Sequence, residues 1–457
     1  MTQRIAIIGN GPAGIEAATV AARAGAQVTL IGEGPVGGRA GWHSLTPSKV
    51  WLTAADTYGL FQEAAQLGTV VTGARPDPQA VLARIRAVTA AWNEQQAASL
   101  RRLGVELLNG VAAFSGPHSL TVQAQDFTHT VHADAVIVAT GSVPRFPPGM
   151  QPDGERILAP RFASHLAQLP PDVVVVGGGA TGTEFAYLFN RLGLRVTWVL
   201  DQAGILPRFA PDVGRFLADV MARRGVDLAI GQPATAIERN EAGITVITRD
   251  GGRHTGSMAF LAIGRTPDLA RLALDAAGLS PGPGGGLETD AYGQTRVPGI
   301  YAVGDATGAP MLANRATAQA RIAARHALGL PTPPFRPETV VHAVYCEPQV
   351  AQVGTLQTAS NQLLTVRLPF TAGLKGHLLA EGDGFVELAY DKHDRRVVGG
   401  VAVGPHAADV LAPVALAIAW GATVEQLAEV AGAHPTVSEL AFLAAQEAGP
   451  WVRRSQP

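Results

Sequence analysis

Short apolar runs that end in glycine alternate, over much of this 457-residue chain, with stretches whose apolar positions recur at helical spacing. The first run is Ile5-Ala6-Ile7-Ile8. It stops at Gly9-Asn10-Gly11-Pro12-Ala13-Gly14, and Ala17, Ala18, Ala21 and Ala22 then share one face up to Gly25. Val28-Thr29-Leu30-Ile31 is the next run. A short apolar run bounded by glycine reads as a buried strand, and an i, i+3, i+4 recurrence reads as a helix. The order is therefore strand, glycine turn, helix, strand. It returns at Val173–Val176, Gly177 to Gly182, a helix from Glu184 to Leu192, and Val196–Leu200. Between the two copies, Pro78 to Gly104 carries Val81, Leu82, Ile85, Val88, Trp92 and Leu100 on repeating faces, which predicts a scaffold helix. Val105–Leu108, Leu120–Val122 and Ala135–Val138 predict strands, as do Thr245–Thr248 and Met258–Ile263. From Thr339 to about Glu447, strand-like runs such as Phe385–Leu388 mix with helices. Alternating strands and helices predict an α/β protein.

The glycines in the two turns carry chemistry as well as geometry. In a G-x-G-x-x-G turn the first glycine permits the tight turn, the second lets backbone approach a pyrophosphate, and the third seats helix on strand. These roles fall to Gly9, Gly11 and Gly14, and again to Gly177, Gly179 and Gly182. Pro12 and Ala13, like Ala180 and Thr181, open helices whose free N–H groups and positive dipole end suit phosphates. An acid after the second strand suits ribose hydroxyls; Glu33 and Asp201 stand there. Two such units in one chain imply two dinucleotides, one kept and one exchanged. Asp201 accepts from a ribose 2′-OH and repels a 2′-phosphate, and the nearest arginine beyond it is Arg208, so NADH rather than NADPH is the expected donor.

Composition narrows the class further. The length suggests about three domains at about 100–200 residues each. A formal charge of −2 gives no electrostatic case for nucleic acid, and no apolar run reaches the ~18 residues of a membrane span. The N-terminus lacks the succession of basic, apolar and cleavage regions of a secretory signal, so a cytoplasmic protein is expected. The single cysteine, Cys346, permits no intramolecular disulfide and no cysteine-based metal site; no metal is expected. Only three lysines occur, Lys49, Lys375 and Lys392, which gives a lysine at position 49 weight.

Lys49 closes Gly37-Gly38-Arg39-Ala40-Gly41-Trp42-His43-Ser44-Leu45-Thr46-Pro47-Ser48-Lys49. This stretch resembles the redox loop of the flavoprotein disulfide reductases (dihydrolipoamide dehydrogenase, glutathione reductase, mercuric reductase), with pattern G-G-T-C-x4-C-x-P-S-K. The two cysteine positions are Ala40 and Leu45 here, so the resemblance is to a member lacking both redox cysteines. It extends from Arg4 to about Glu447. Ala139-Thr140-Gly141-Ser142 resembles the exit from the flavin domain, Gly264-Arg265-Thr266-Pro267 the return to it, and Gly299 to Asp305 the family's G-I-Y-A-x-G-D. Ala433 to Glu439 resembles its H-P-T-x-S-E.

The resemblance implies a glutathione-reductase-like fold with two Rossmann-type domains and an α+β C-terminal dimerisation domain. Residues 1–145 and 265–332 would bind FAD, 146–264 would bind NAD(P)H, and 337–457 would form the interface of a homodimer. Gly38, Lys49, Ala139, Thr140, Gly141, Gly304, Asp305, Met311, Leu312 and Ala313 join the first fingerprint and Glu33 as implied FAD contacts. Glu184 and Gly264 join the second fingerprint and Asp201 at the nicotinamide dinucleotide. Lys49 and Glu184 would pair beside the flavin, and His434, oriented by Glu439, would move protons at the partner's site. The family's usual ribose acid falls at Gly32 in the first unit and its usual glutamate at Leu200 in the second, one residue before Glu33 and Asp201. Trp42 and His43 are candidates to line a pocket for a flat acceptor, and Cys346 is structural. With no thiol relay, the expected activity is an FAD-dependent NAD(P)H dehydrogenase feeding a quinone-like acceptor directly. Pyridine nucleotide transhydrogenation is one alternative, and a flavin-bearing binding or regulatory protein with little turnover is another.

Overall fold

A computed structural model describes residues 2–241, 243–357, 362–380 and 382–449. Residues 450–457 of the expected interface domain lie outside the described residues. Strand β1 (Arg4–Ile8), helix α1 (Pro12–Arg23) and strand β2 (Gln27–Gly32) form the first unit, with β1 and β2 parallel and Ile5 opposite Val28. β1 lies at the centre of a five-stranded sheet, flanked on one side by β2 and β3 (Glu106–Asn109), on the other by Ala135–Val138 and Ile300–Ala302. The last of these strands arrives some 300 positions after the first because an entire second unit is inserted between them.

That inserted unit repeats the plan. Asp172–Val176 pairs in parallel with Arg195–Leu200 and with Ala259–Leu261 in a second five-stranded sheet. The chain enters and leaves it through Ser142–Pro144 and Arg265–Pro267, which pair antiparallel. Every residue of Ala135–Val138 is buried, and so are the valines of Asp172–Val176, as parallel strands covered on both faces require. A third sheet, of five strands from His342 to Val403, is antiparallel and packs against the C-terminal helices. Sequence reading missed Val111–Gly116 and Thr128–His132, which flank Ser119–Gln123 in an antiparallel ribbon. Thr128–His132 is exposed at all but one position, so it has no apolar run to show.

Helix α2 (Leu45–Glu63) follows the loop that lacks its cysteines, and α3 (Pro78–Arg102) packs beside it. Ala40–Ser44 winds as a π-helical turn into α2. α2 also packs on α4 (Ala180–Arg191), the helix of the second fingerprint, so one helix pair joins the two dinucleotide units. No helix among the described residues is long and apolar enough to cross a membrane.

Candidate active site

The two glycine turns face a common cleft of about 2110 Å³. A pocket for one drug-sized ligand is typically about 300–1,000 Å³, so this cleft has room for more than one. The glycines separate by cause. A Cβ on Gly9 would lie 2.2 Å from the Ala139 carbonyl oxygen, and Gly9 has a φ of +113°. A Cβ on Gly14 would lie 1.7 Å from the Gly9 carbonyl. Gly177 and Gly182 repeat this at 2.4 Å from Ala262 and 1.9 Å from Gly177. Packing within the chain accounts for all four. At Gly11 and Gly179 a Cβ would meet nothing within 4 Å, so no neighbour in the protein demands a glycine there. Both are the N-caps of helices that no side chain caps, and both line the cleft. Bare helix N-termini behind side-chain-free backbone fit the phosphates of a dinucleotide. Thr140 Oγ1, buried in the same wall, has no hydrogen-bond partner among the described residues.

Pro12, Ala13, Gly38, Ala139, Gly141, Asp305, Met311, Leu312 and Ala313 also line the cleft. Gly38 sits over Gly11, 3.0 Å from its backbone for an added Cβ. Gly304 itself is buried behind the wall, its N–H donating to Gln319 Oε1 at 2.9 Å and its φ of +64° turning the chain. Ser142 Oγ donates to Asp305 Oδ2 at 2.6 Å and accepts from Arg265 Nε at 2.7 Å, so the two domain crossings orient one carboxylate. Burial pulls the Arg265 pKa down, and the Asp305 charge opposes only part of that fall.

Glu33 lines the cleft, but its carboxylate accepts from Arg271 at 2.5 and 3.0 Å, and this pairing lowers its pKa. The one-residue displacement of the acid has a steric cause: a Cβ on Gly32 would lie 2.4 Å from Asn10 Cγ, because the Asn10 amide reaches back to bond the carbonyls of Gly34 and Pro35. In the second unit Asp201, Gly264, Ala180, Thr181 and Arg208 all line the cleft, and Asp201 Oδ1 accepts from the Ala203 N–H at 3.0 Å.

Lys49 and Glu184 meet between the two fingerprints. Lys49 Nζ lies 2.7 Å from each Glu184 oxygen. Glu184 is 7% exposed, so the ammonium rather than water faces its carboxylate. The pair is the first rung of a polar seam between α2 and α4 that sequence reading did not find. Tyr187 donates to Asp56 Oδ1 at 2.6 Å, and Arg191 meets Glu63 at 2.7 Å. Lys49, Asp56 and Glu63 stand seven apart on α2, and Gly59 makes room for the Arg191 guanidinium, 2.3 Å from where its Cβ would be. Burial raises the Asp56 pKa, and the Tyr187 hydrogen bond works against that rise. Tyr187→Phe is therefore expected to destabilise the protein by about 1–3 kcal/mol, read as a lowered denaturation midpoint. The deficit belongs to the ionised carboxylate, so it is full above the folded-state pKa of Asp56, which burial raises, and shrinks as pH falls through that pKa.

In the altered loop, Trp42 Nε1 donates to the Val36 carbonyl at 2.8 Å, which turns the indole to the loop's own support. His43 lines the cleft with Ala40 and Leu45, and burial, with His165 and Arg39 nearby, lowers its pKa. Arg39 donates to the Thr140 carbonyl at 2.8 Å and to Asp268 at 2.5 Å, tying the loop to both crossings. His434 Nδ1 is 3.0 Å from Glu439 Oε2, so that dyad is formed, but on an exposed face away from this chain's cleft. Cys346 is buried, its thiol pushed well above the ordinary range by desolvation and held by the Pro348 carbonyl at 3.2 Å. Among the described residues no group of His, Cys, Asp and Glu could hold a metal ion.

A double dinucleotide cleft with a flavin-type return strand defines an oxidoreductase. The chain belongs to the pyridine nucleotide-disulphide oxidoreductase family: residues 3–320 match that family and residues 340–444 its dimerisation domain. The family implies FAD and NAD(P)H. Among its relatives is an NAD(P)H dehydrogenase (quinone) of Mycobacterium tuberculosis, 36% identical over 96% of this chain and 92% of that one. A dihydrolipoyl dehydrogenase of Chlorobaculum parvum is 32% identical over 97% of each. The crystal structure of LpdA from Mycobacterium tuberculosis superposes with a TM-score of 0.93 at 35% identity, covering 98% of this chain and all (100%) of that one. The glutathione-reductase-like fold expected from sequence is the fold observed.

Proposed function

We propose that this protein is an FAD-dependent NAD(P)H dehydrogenase that reduces a quinone-like acceptor directly from the flavin, with no disulfide relay. One observation carries the reading. The loop that would hold the redox pair presents Ala40 and Leu45 to the cleft, while the Lys49–Glu184 pair beside it is intact. FAD, when bound, supplies the chemistry of taking a hydride from the nicotinamide and passing electrons on. The chain supplies binding, orientation and charge. Gly9, Gly11, Gly38, Thr140 and Asp305 would cradle FAD, and Gly177, Gly179 and Asp201 the nicotinamide dinucleotide, with Asp201 favouring NADH, while Gly14 and Gly182 seat the helices behind them. Lys49 would hold positive charge where negative charge develops, and Glu184 would keep it there.

The domain boundaries expected above, at 145/146, 264/265 and 337, carry into this reading, as does a homodimer in which each subunit's His434–Glu439 dyad serves the other's cleft. A histidine held by a carboxylate suits proton supply to a reduced quinone near neutral pH.

The test is an acceptor panel on the purified yellow protein. Benzoquinones and naphthoquinones are expected to turn over with NADH, while lipoamide and oxidised glutathione stay at background. Cys346→Ser should leave quinone turnover within about twofold, since a buried, protonated thiol is inert. Lipoamide reduction at rates matching the quinone would overturn the reading.

A further inference from the structure

Three segments distant in sequence meet at the Lys49 ammonium. Lys49 comes from α2 and Glu184 from α4. The third group is Tyr345, which directly follows the strand His342–Val344 of the C-terminal sheet. Its backbone N–H donates to Glu184 Oε1 at 3.1 Å, and its ring centroid lies 4.7 Å from Lys49 Nζ. One residue thus grips both members of the pair. The aromatic face attracts the ammonium through the ring quadrupole and keeps water off that flank. Core packing does not explain the ring, because Tyr345 is 41% exposed and lines the cleft. Burial and the Glu184 and Asp409 carboxylates raise its phenol pKa, so the hydroxyl stays protonated.

We propose that Tyr345 is a positioning residue for electron transfer, its ring and amide holding Lys49 and Glu184 so that the residue sets how strongly the lysine charge favours the reduced cofactor. This rests on the reading of Lys49 as the cation that faces the flavin. A lysine ends in a compact, strongly hydrated charge on a flexible stem. Bonded on one side only, it swings and is screened by water. Held between a carboxylate and a π face, it stays where its field acts. The arrangement also makes the cleft's electrostatics depend on α2, α4 and the C-terminal sheet all being in place.

The experiment uses the FAD-loaded full-length protein and two variants, Tyr345→Phe and Tyr345→Leu. The flavin midpoint potential is read by equilibrium titration against a reference dye, which needs neither nicotinamide nor quinone. Tyr345→Phe keeps the ring and is expected to match the parent. Tyr345→Leu is expected to lower the potential by about 30 mV, tenfold in the equilibrium of a two-electron couple. It should slow anaerobic flavin reduction by NADH by about the same factor, with the half-saturating NADH concentration little changed. A Leu variant at the parent potential overturns the proposal, and so does a Phe variant as impaired as Leu, which would assign the role to the hydroxyl. If the Leu variant fails to retain FAD, Tyr345→Trp decides: a retained potential supports the π-face role and a lowered one overturns it. Failure of the parent protein to be bleached by NADH would instead remove the dehydrogenase reading, and the potentials would still report on Tyr345.

Discussion

Lys49→Met is expected to leave FAD bound and to slow its reduction by NADH about a hundredfold. A preorganised charge aimed at the charge that develops in a transition state is typically worth about 2.7–4 kcal/mol of barrier. The Lys49 side chain is 35% exposed, so part of its charge is already screened by water, whereas Glu184, which holds it, is 9% exposed. The discounted figure, about 2–3 kcal/mol, corresponds to a factor of about a hundred in rate. Methionine keeps the length and apolar stem of lysine, so the helix seam below it should hold. Glu184→Gln is the companion variant. It leaves the ammonium in place without its anchor and should cost less, about tenfold. Stopped-flow absorbance at the flavin band, under nitrogen, reads both. Bleaching of Lys49→Met at the parent rate would show that the lysine charge plays no part in hydride transfer.

The parts of this site that were legible in the sequence are those whose cause is local. Gly14 and Gly182 are each forced by the carbonyl of the glycine five residues before them, and Gly9 and Gly177 turn the chain at φ of +113° and +110°, so the spacing itself carries the constraint. The missing redox pair was legible for the same reason, since Ala40 and Leu45 stand between glycines and a Pro-Ser-Lys that mark the loop. What escaped depends on partners far along the chain. Asp56 and Tyr187 are 131 positions apart, and neither has a neighbour that marks it. The seven-residue spacing of Lys49, Asp56 and Glu63 is present in the sequence, but it acquires meaning only when α4 is laid against α2. Tyr345 looks like a residue at a strand end until Lys49 is found over its ring. Glu33 was read from the local pattern as a ribose ligand, and that pattern could not disclose Arg271, 238 positions on, bonded to its carboxylate.

Gly11→Val and Gly14→Ala are expected to fail in opposite ways, and the contrast tests whether the cleft is built for a ligand. At Gly14 the added carbon would lie 1.7 Å from the Gly9 carbonyl and 3.3 Å from Leu30 Cδ1. Relief requires α1 to move off β1, opening a core that includes Ala17, Ala18 and Ala21, all fully buried. Overpacking of this kind costs about 1–3 kcal/mol, and more where backbone must shift, so a denaturation midpoint well below the parent's is expected with or without FAD. At Gly11 the carbon meets nothing in the protein. The apoprotein of Gly11→Val should unfold at the parent midpoint. Its side chain, however, would occupy the approach of a pyrophosphate to the α1 N-terminus and displace at least one charge-assisted hydrogen bond worth about 1.5–3 kcal/mol. FAD affinity, measured by quenching of flavin fluorescence on titration into apoprotein, should fall about tenfold to a hundredfold. Equal destabilisation of both apoproteins would mean that Gly11 serves the fold alone. Undiminished FAD binding by a stable Gly11→Val would mean that the cofactor lies elsewhere. Only a cleft shaped around a phosphate leaves the middle glycine dispensable to the empty protein and indispensable to the loaded one.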